Sequence, residues 1–273
     1  MHLRTTRDGS STLYSERYGQ HYHNPNGALG ESRHVFLRPL SLLPDMVVHR
    51  PLTIFETGFG TGLNLLLLLS ARQTLASRSP IHYLGCEPEP ADSRLLLQMN
   101  HARALGLQAV WERLVEGLSG CRPGWNRLEC GLNGVRVSLF LGTLQEIPGL
   151  PTGPDLTRSA GHAGHDGHAD DAPLVDHVFH DPFSPDASPE CWSAQAFSRL
   201  LSWTSPRGTL RTYGAATRSR AAMAQAGWAV ARAPGAMGKR EMTLAAPSAA
   251  ALAPYPVLDR ERLLAKLHPS DRR

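Results

Sequence analysis

The segment Glu56-Thr57-Gly58-Phe59-Gly60-Thr61-Gly62 sets three glycines at alternate positions between an apolar run, Leu52-Thr53-Ile54-Phe55-Glu56, and a helical apolar pattern over 62–75. Glycine accepts positive φ and carries no Cβ, so a strand-to-helix junction built this way turns tightly and lets the backbone approach a ligand. Taken alone, a purely structural turn would explain the same residues. The junction opens a longer alternation, however. Residues 81–86 read as a second strand and 91–105 as a second helix, while 135–141 alternate as a strand paired with 127–132 through an Asn133-Gly134 turn. Residues 175–180 read as a strand and 189–203 as a helix. A strand over 208–213, a helix over 217–226 and two closing strands over 228–232 and 240–245 follow. Strands alternating with helices argue for a mostly parallel sheet covered by helices.

Three regions fall outside this alternation. Residues 1–50 carry Tyr14, Tyr18, His21, Tyr22 and His23, then Glu31, Arg33 and His34. Such a segment is expected to make a poor core and a good lid or binding surface. The catalytic domain is expected over 51–246, with a low-complexity insertion at 151–173 and a tail over 247–273. His162, His165 and His168 recur at every third position of the insertion, which suggests a metal tract. The glycines around them leave the segment too flexible to preorganise a coordination sphere, so a solvated loop and no metal site are expected.

Composition removes other classes. A chain of 273 residues fits one large domain or two small ones, and 41% hydrophobic with 19% charged residues is ordinary for a globular protein. The longest apolar stretch, residues 63–69, is interrupted by Asn64 and is far shorter than a membrane span. No apolar segment follows the basic N-terminal residues, so no signal peptide is expected. Cys86, Cys121, Cys130 and Cys191 form no C-x-x-C pair, and reduced cysteines in a cytoplasmic protein without a membrane partner are the expectation. A net charge of +4 permits an anionic partner but argues only weakly for nucleic acid.

The glycine spacing is G-x-G-x-G, not the G-x-G-x-x-G of dinucleotide-binding folds. It is the usual form of the first motif of class I methyltransferases, where the loop curves around the amino-acid part of S-adenosylmethionine. Glu87 closes the second strand, where an acidic residue accepts hydrogen bonds from both ribose hydroxyls of an adenosine ligand. A solvated carboxylate is the bland reading of a strand-end Glu, and an NAD-type ligand would use the same acid. The loop spacing favours methyl transfer. Asp181 ends the strand over 175–180 within Val178-Phe179-His180-Asp181-Pro182-Phe183-Ser184-Pro185. Ligands of open α/β sheets bind beyond the carboxyl ends of strands, which puts Asp181 on the rim shared by Gly58, Gly60, Gly62 and Glu87.

Four separated blocks then make the likeness specific. They are Asp8-Gly9-Ser10 through Tyr14-Ser15-Glu16-Arg17-Tyr18 to Glu31-Ser32-Arg33-His34-Val35-Phe36-Leu37; Glu56 through Gly62 to Leu63-Asn64; Asp181-Pro182-Phe183-Ser184-Pro185 with Pro189-Glu190-Cys191-Trp192; and Gly238-Lys239-Arg240-Glu241-Met242. In that order the chain resembles the methyltransferase of the tRNA 5-methylaminomethyl-2-thiouridine biosynthesis family, called MnmC when fused to an oxidoreductase and MnmD when alone. The resemblance implies a class I S-adenosylmethionine-dependent methyltransferase (Rossmann-like) α/β fold with an N-terminal extension. It implies N-methylation of 5-aminomethyl(-2-thio)uridine at the tRNA wobble position, with S-adenosyl-L-methionine as cofactor and the tRNA anticodon loop as partner. The chain ends about where the methyltransferase does, so the standalone form is expected, with a separate oxidoreductase acting upstream.

The resemblance also implies roles for individual residues. Glu56, Gly58, Gly60, Gly62, Asn64, Glu87, Gly142 and Thr143 are expected at the cofactor, with Tyr22 and Glu31 closing over it. Asp181 is expected to hold the acceptor amine and assist proton loss, or, more plainly, to cap a strand end. Phe183, Tyr14, Tyr18 and Tyr22 are candidate rings for stacking a base, and Arg33, Lys239 and Arg240 candidate phosphate contacts. Three positions depart from the family pattern. Pro182 stands where the family has Gly or Ala. Thr143 stands where it has Asp at the adenine edge, so recognition there is expected to fall to backbone groups. Gly235-Ala236-Met237-Gly238 stands where it has Gly-Phe-Gly-Arg. Two rivals remain: a small-molecule amine transferase of the polyamine-synthase type, and a non-catalytic RNA-binding module with a degenerate cofactor pocket.

Overall fold

The computed structural model describes residues 1–151 and 174–267. His162, His165 and His168 lie outside the described residues, as does the end of the tail.

Eleven strands occur among the described residues: β1 (His2–Thr5), β2 (Ser11–Ser15), β3 (Gln20–His21), β4 (Leu52–Thr57), β5 (Ile81–Glu87), β6 (Gly124–Leu128), β7 (Val135–Leu141), β8 (Val175–His180), β9 (Thr204–Thr212), β10 (Ala229–Pro234) and β11 (Glu241–Ala246). The first three form a small antiparallel sheet, and the other eight one large sheet in the order β10-β11-β9-β8-β4-β5-β7-β6. Strands β9, β8, β4, β5 and β7 run parallel. Every residue of β5 is buried, as expected for a strand covered by helices on both faces. From β4 the chain proceeds outward through β5 to β7, whereas β8 lies on the other flank of β4 and leads to β9. The sheet order therefore reverses between β4 and β8, and the loops after these two strands open onto one crevice.

Most expected elements occur close to their expected bounds, and the differences have local causes. The helix expected over 91–105 is two pieces, Ser93–Gln98 and His101–Ala104, because Met99 is extended (ψ 143). Asn100, beside that break, pins the small sheet: its Oδ1 accepts from the Ser11 amide and hydroxyl, both at 2.9 Å. The helix Gln108–Ser119 was not expected, although Trp111, Leu114, Val115 and Leu118 give it a buried stripe. Strand β6 ends at Leu128, opposite Val137, so the Asn133-Gly134 turn, closed by the Val135 amide on the Leu132 carbonyl at 3.2 Å, sits within a wider connection over residues 129–134 and not in a two-residue hairpin. Gly131 (φ 73) and the buried Cys130 take the chain out of the ladder there. Residues 189–203 divide at Ser193, whose hydroxyl caps the helix Ala194–Trp203 by accepting from the Ala196 amide at 3.1 Å.

Residues 1–50 correct the expectation of a poor core. Leu13, Val35, Phe36, Leu37, Leu42 and Met46 are buried, and the Phe36 ring meets Phe179 of β8 at 5.3 Å. The π-helical turn Arg33–Leu37 brings this about, with the buried Arg211 guanidinium donating to the Phe36 carbonyl at 2.8 Å. No helix among the described residues is long and apolar enough to cross a membrane.

Gly62 shows how tightly the glycine junction is constrained. It has φ 69 and caps the helix Leu63–Thr74, and a Cβ there would lie 2.6 Å from the Trp111 ring. Gly62→Ala is expected to cost about 2–4 kcal/mol, combining left-handed strain with overpacking. Urea unfolding measures this, and a loss below about 0.5 kcal/mol would contradict the packing described.

Candidate functional site

A cavity of about 680 Å³ lies at the crevice between β4 and β8, within the range of ligand sites. Its floor is the carboxyl ends of β4, β5 and β8. Its roof is residues 18–26 of the N-terminal segment together with Met237, Gly238 and Lys239 from the turn between β10 and β11. The roof is fastened at several points. Gln20 donates from Nε2 to Ser184 Oγ at 2.6 Å, and its Oε1 accepts from the Ser184 amide at 3.3 Å. His23 Nε2 meets Thr61 Oγ1 at 3.0 Å.

The glycine loop forms one wall. Gly58 (φ 79) and Gly60 (φ 53) are left-handed. A Cβ on Gly58 would lie 2.8 Å from the Asp181 carbonyl oxygen, and one on Gly60 3.1 Å from the Tyr22 ring. The wall therefore depends on glycine for conformation and for space. Glu87 is tied to it: Oε2 accepts from the Gly60 amide at 2.8 Å and Oε1 from the Glu89 amide at 3.0 Å. Each oxygen keeps a lone pair for a ligand hydroxyl. Burial pushes the Glu87 carboxyl up to about 7, with the two amide bonds opposing the shift. The Thr57 hydroxyl, also on the cavity, is buried without a partner.

Opposite the loop stands Asp181. The Asn64 amide group donates to Asp181 Oδ2 at 2.8 Å and to Glu56 Oε1 at 2.7 Å, and the Tyr83 hydroxyl donates to Glu56 Oε2 at 2.6 Å. Burial holds both carboxyls well above the usual range. For Asp181 the Asn64 bond opposes this, Glu31 adds to it and Lys239 reduces it.

Of the residues expected at a site, Tyr22, Glu31, Gly58, Gly60, Glu87, Thr143, Asp181, Phe183 and Lys239 line the cavity. Glu56 and Asn64 lie beneath Asp181, and Gly62 packs on Trp111. Gly142 donates its amide to the Glu87 carbonyl at 3.1 Å. Thr143 offers no free amide, since its N–H and hydroxyl both bond Glu146 Oε2, at 2.7 and 2.8 Å. Tyr18 stacks on Phe183 at 4.3 Å and Tyr22 meets the same ring edge-on at 4.9 Å, whereas Tyr14 contacts His21 and does not line the cavity. Arg33 and Arg240 are exposed, outside the cavity. Lys239, expected at a phosphate, is ion-paired with Glu31 at 2.9 Å.

Tyr213 was missed. Its hydroxyl donates to the Pro182 carbonyl at 2.7 Å, and its ring lies under the Lys239 ammonium. It ends the strand expected over 208–213, so the strand-end reasoning that selected Asp181 would have found it.

Similarity to known proteins agrees with this geometry. A family model described as S-adenosyl-L-methionine-dependent methyltransferase matches residues 165–248. The chain is 32% identical over 234 residues to the tRNA 5-methylaminomethyl-2-thiouridine biosynthesis bifunctional protein MnmC of Cupriavidus necator, covering 85% of this chain and 32% of that protein. To the protein of the same name from Azoarcus sp. it is 34% identical over 239 residues, covering 85% and 33%. The chain belongs to the MnmC methyltransferase family. It spans about a third of the length of these relatives. The crystal structure of MNMC2 from Aquifex aeolicus superposes with a TM-score of 0.68 at 23% identity, covering 97% of this chain and 74% of that one. The fold is accordingly that of class I methyltransferases. S-adenosyl-L-methionine is the cofactor of this family, and the Cβ-free wall at Gly58 and Gly60, the unpartnered Thr57 hydroxyl and the remaining acceptor capacity of Glu87 fit it.

A pH dependence follows from Glu87. With its carboxyl raised to about 7 it is mostly ionised at pH 8 and mostly protonated at pH 6, and only the ionised form accepts from two hydroxyls without competition from its own proton. Affinity for S-adenosylmethionine is expected to fall up to about tenfold from pH 8 to pH 6 in calorimetric titrations, and Glu87→Gln to bind more weakly with a flat profile. An unchanged profile in the variant would assign the dependence elsewhere.

Proposed function

We propose that the protein is a tRNA 5-(aminomethyl)-2-thiouridylate methyltransferase, transferring a methyl group from S-adenosylmethionine to the primary amine of 5-aminomethyl(-2-thio)uridine at the wobble position. The observation that carries this reading is Asp181, a half-buried carboxylate on the cavity with Asn64 bridging it to a fully buried carboxylate, Glu56. A primary alkyl amine is mostly protonated near neutral pH and cannot attack in that form. Its nitrogen needs an anionic partner that orients it and takes the proton.

Asp181 has both properties. Its carboxyl, raised by burial, is a better proton acceptor than an exposed aspartate. Asn64 fixes one carboxylate oxygen and leaves the other for the amine. Asn64 is in turn set by Glu56, and Glu56 by Tyr83. When bound, S-adenosylmethionine supplies an electrophilic methyl group on a sulfonium. Gly58, Gly60, Thr57 and Glu87 are the residues that would hold it. Holding the amine against the glycine wall replaces a chance encounter with a fixed approach, which is worth several kcal/mol of the barrier.

The anticodon loop is single-stranded, so the wobble base can be splayed out and stacked. Phe183 with Tyr18 and Tyr22 supplies the rings at the cavity mouth. Residues 1–50 act as a lid, and the exposed Arg33 and Arg240 make phosphate contacts outside the cavity. Neutralising both is expected to weaken tRNA binding and lower the salt slope by about two.

The test is methyl transfer from labelled cofactor to tRNA carrying the 5-aminomethyl group, compared with unmodified tRNA and free polyamines. Label is expected on the wobble nucleoside of the aminomethylated tRNA alone. Asp181→Asn should lower the rate about 10²–10⁴-fold while cofactor affinity stays within about threefold. Label on polyamines, or a near wild-type rate in the variant, would overturn the reading.

A further inference from the structure

The cavity contains a resident ammonium group. Lys239 Nζ lies 2.9 Å from Glu31 Oε1 and 4.4 Å over the centre of the Tyr213 ring. Both partners are fixed by other contacts. Asn24 donates its amide to Glu31 Oε2 at 3.2 Å and its side-chain Nδ2 to Oε1 at 3.1 Å. Tyr213 is held by its hydroxyl bond to the Pro182 carbonyl and by edge contact with the Trp192 ring at 6.0 Å. Asp181 faces the same cavity. One preset carboxylate, one aromatic face and a second carboxylate nearby are the features that recognise a compact alkylammonium ion.

Lys239 is the loosest member of this group. Its side chain is 42% exposed, against 11% for Glu31. It stands in the short turn between β10 and β11, where Asn26 Nδ2 donates to the Met237 carbonyl at 3.3 Å and the Lys239 amide to the Ala236 carbonyl at 2.9 Å. The backbone is thus anchored while the side chain has a path to solvent. A half-exposed ion pair is weak, so a better-anchored ammonium can displace it.

We propose that Glu31, Tyr213 and Asp181 form a primary-alkylammonium subsite that Lys239 fills when no ligand is bound and vacates when one arrives. Two ligand groups have the required chemistry: the aminomethyl group of the acceptor nucleoside, which rests on the function proposed above, and the α-ammonium of S-adenosylmethionine, which does not. A tethered occupant also sets selectivity. A small free amine must compete with an ammonium held at high local concentration, whereas a ligand anchored elsewhere in the cavity brings additional binding energy to the exchange.

The experiment titrates propylammonium, followed by NMR, into protein saturated with S-adenosylhomocysteine, and separately titrates S-adenosylmethionine by calorimetry. It uses wild type, Lys239→Met, Lys239→Arg and the double variant Lys239→Met with Glu31→Gln. If the acceptor amine occupies the subsite, Lys239→Met tightens propylammonium by about fivefold, the equivalent of one exposed ion pair. Lys239→Arg does not, and the double variant loses the gain. If the cofactor's own ammonium occupies it, the same gain and loss occur with S-adenosylmethionine, and propylammonium does not bind the saturated protein. The subsite is overturned if Lys239→Met leaves both affinities within twofold or weakens both. Absence of methyl transfer to aminomethylated tRNA, with either gain intact, would sink the proposed function and leave the subsite standing.

Discussion

One amide group holds the centre of this molecule together. The Nδ2 of Asn64 spends one hydrogen on Glu56 and the other on Asp181. It thereby joins the end of β4, the first turn of the helix Leu63–Thr74 and the loop after β8, three segments that meet where the sheet order reverses. A buried and a half-buried carboxyl facing one neutral donor cannot both ionise cheaply, and desolvation raises both well above the usual range. The Tyr83 hydroxyl supplies a further donor to Glu56. Asp181 lines the cavity, from which a proton or a cation can reach it.

The remaining architecture serves this carboxylate and the wall opposite. The glycine loop approaches Asp181 so closely that a Cβ at Gly58 would strike its backbone. The N-terminal segment closes the cavity from above while also contributing Phe36 and Leu42 to the core below, so roof and core are parts of one structure. Pro182 fits the same scheme: its carbonyl anchors Tyr213, whose ring in turn bears the Lys239 ammonium. Glu146 satisfies Thr143, so a carboxylate is present beside that position although the residue itself carries none.

Much of this was legible in the sequence, and the division follows the range of the interactions. The alternating fold, the glycine loop, Glu87 and Asp181 are marked by local signals: glycine spacing, strand-end position and apolar runs. What escaped depends on contacts between distant residues. Asn64 reads as part of a cofactor loop because its bond to Asp181 spans 117 positions. Lys239 reads as a surface cation because its partner Glu31 lies near the other end of the chain. The core role of residues 33–47 is hidden by the polar aromatics before them and by a π-helical turn whose period matches neither helix nor strand templates. The turn expected at Asn133-Gly134 forms, with the Val135 amide donating to the Leu132 carbonyl at 3.2 Å, but the pairing of β6 with β7 stops at Leu128, where the buried Cys130 and the left-handed Gly131 take the chain out of the ladder.

Everything turns on Asp181 being a proton-accepting carboxylate raised by burial and aimed by Asn64. Carbon-13 NMR titration of the aspartate side chains in the ligand-free protein measures this directly, with Asp181→Asn assigning the resonance. A midpoint well above the ordinary aspartate value of about 4 is expected. Titration near 4, as for a solvent-exposed aspartate, would contradict it.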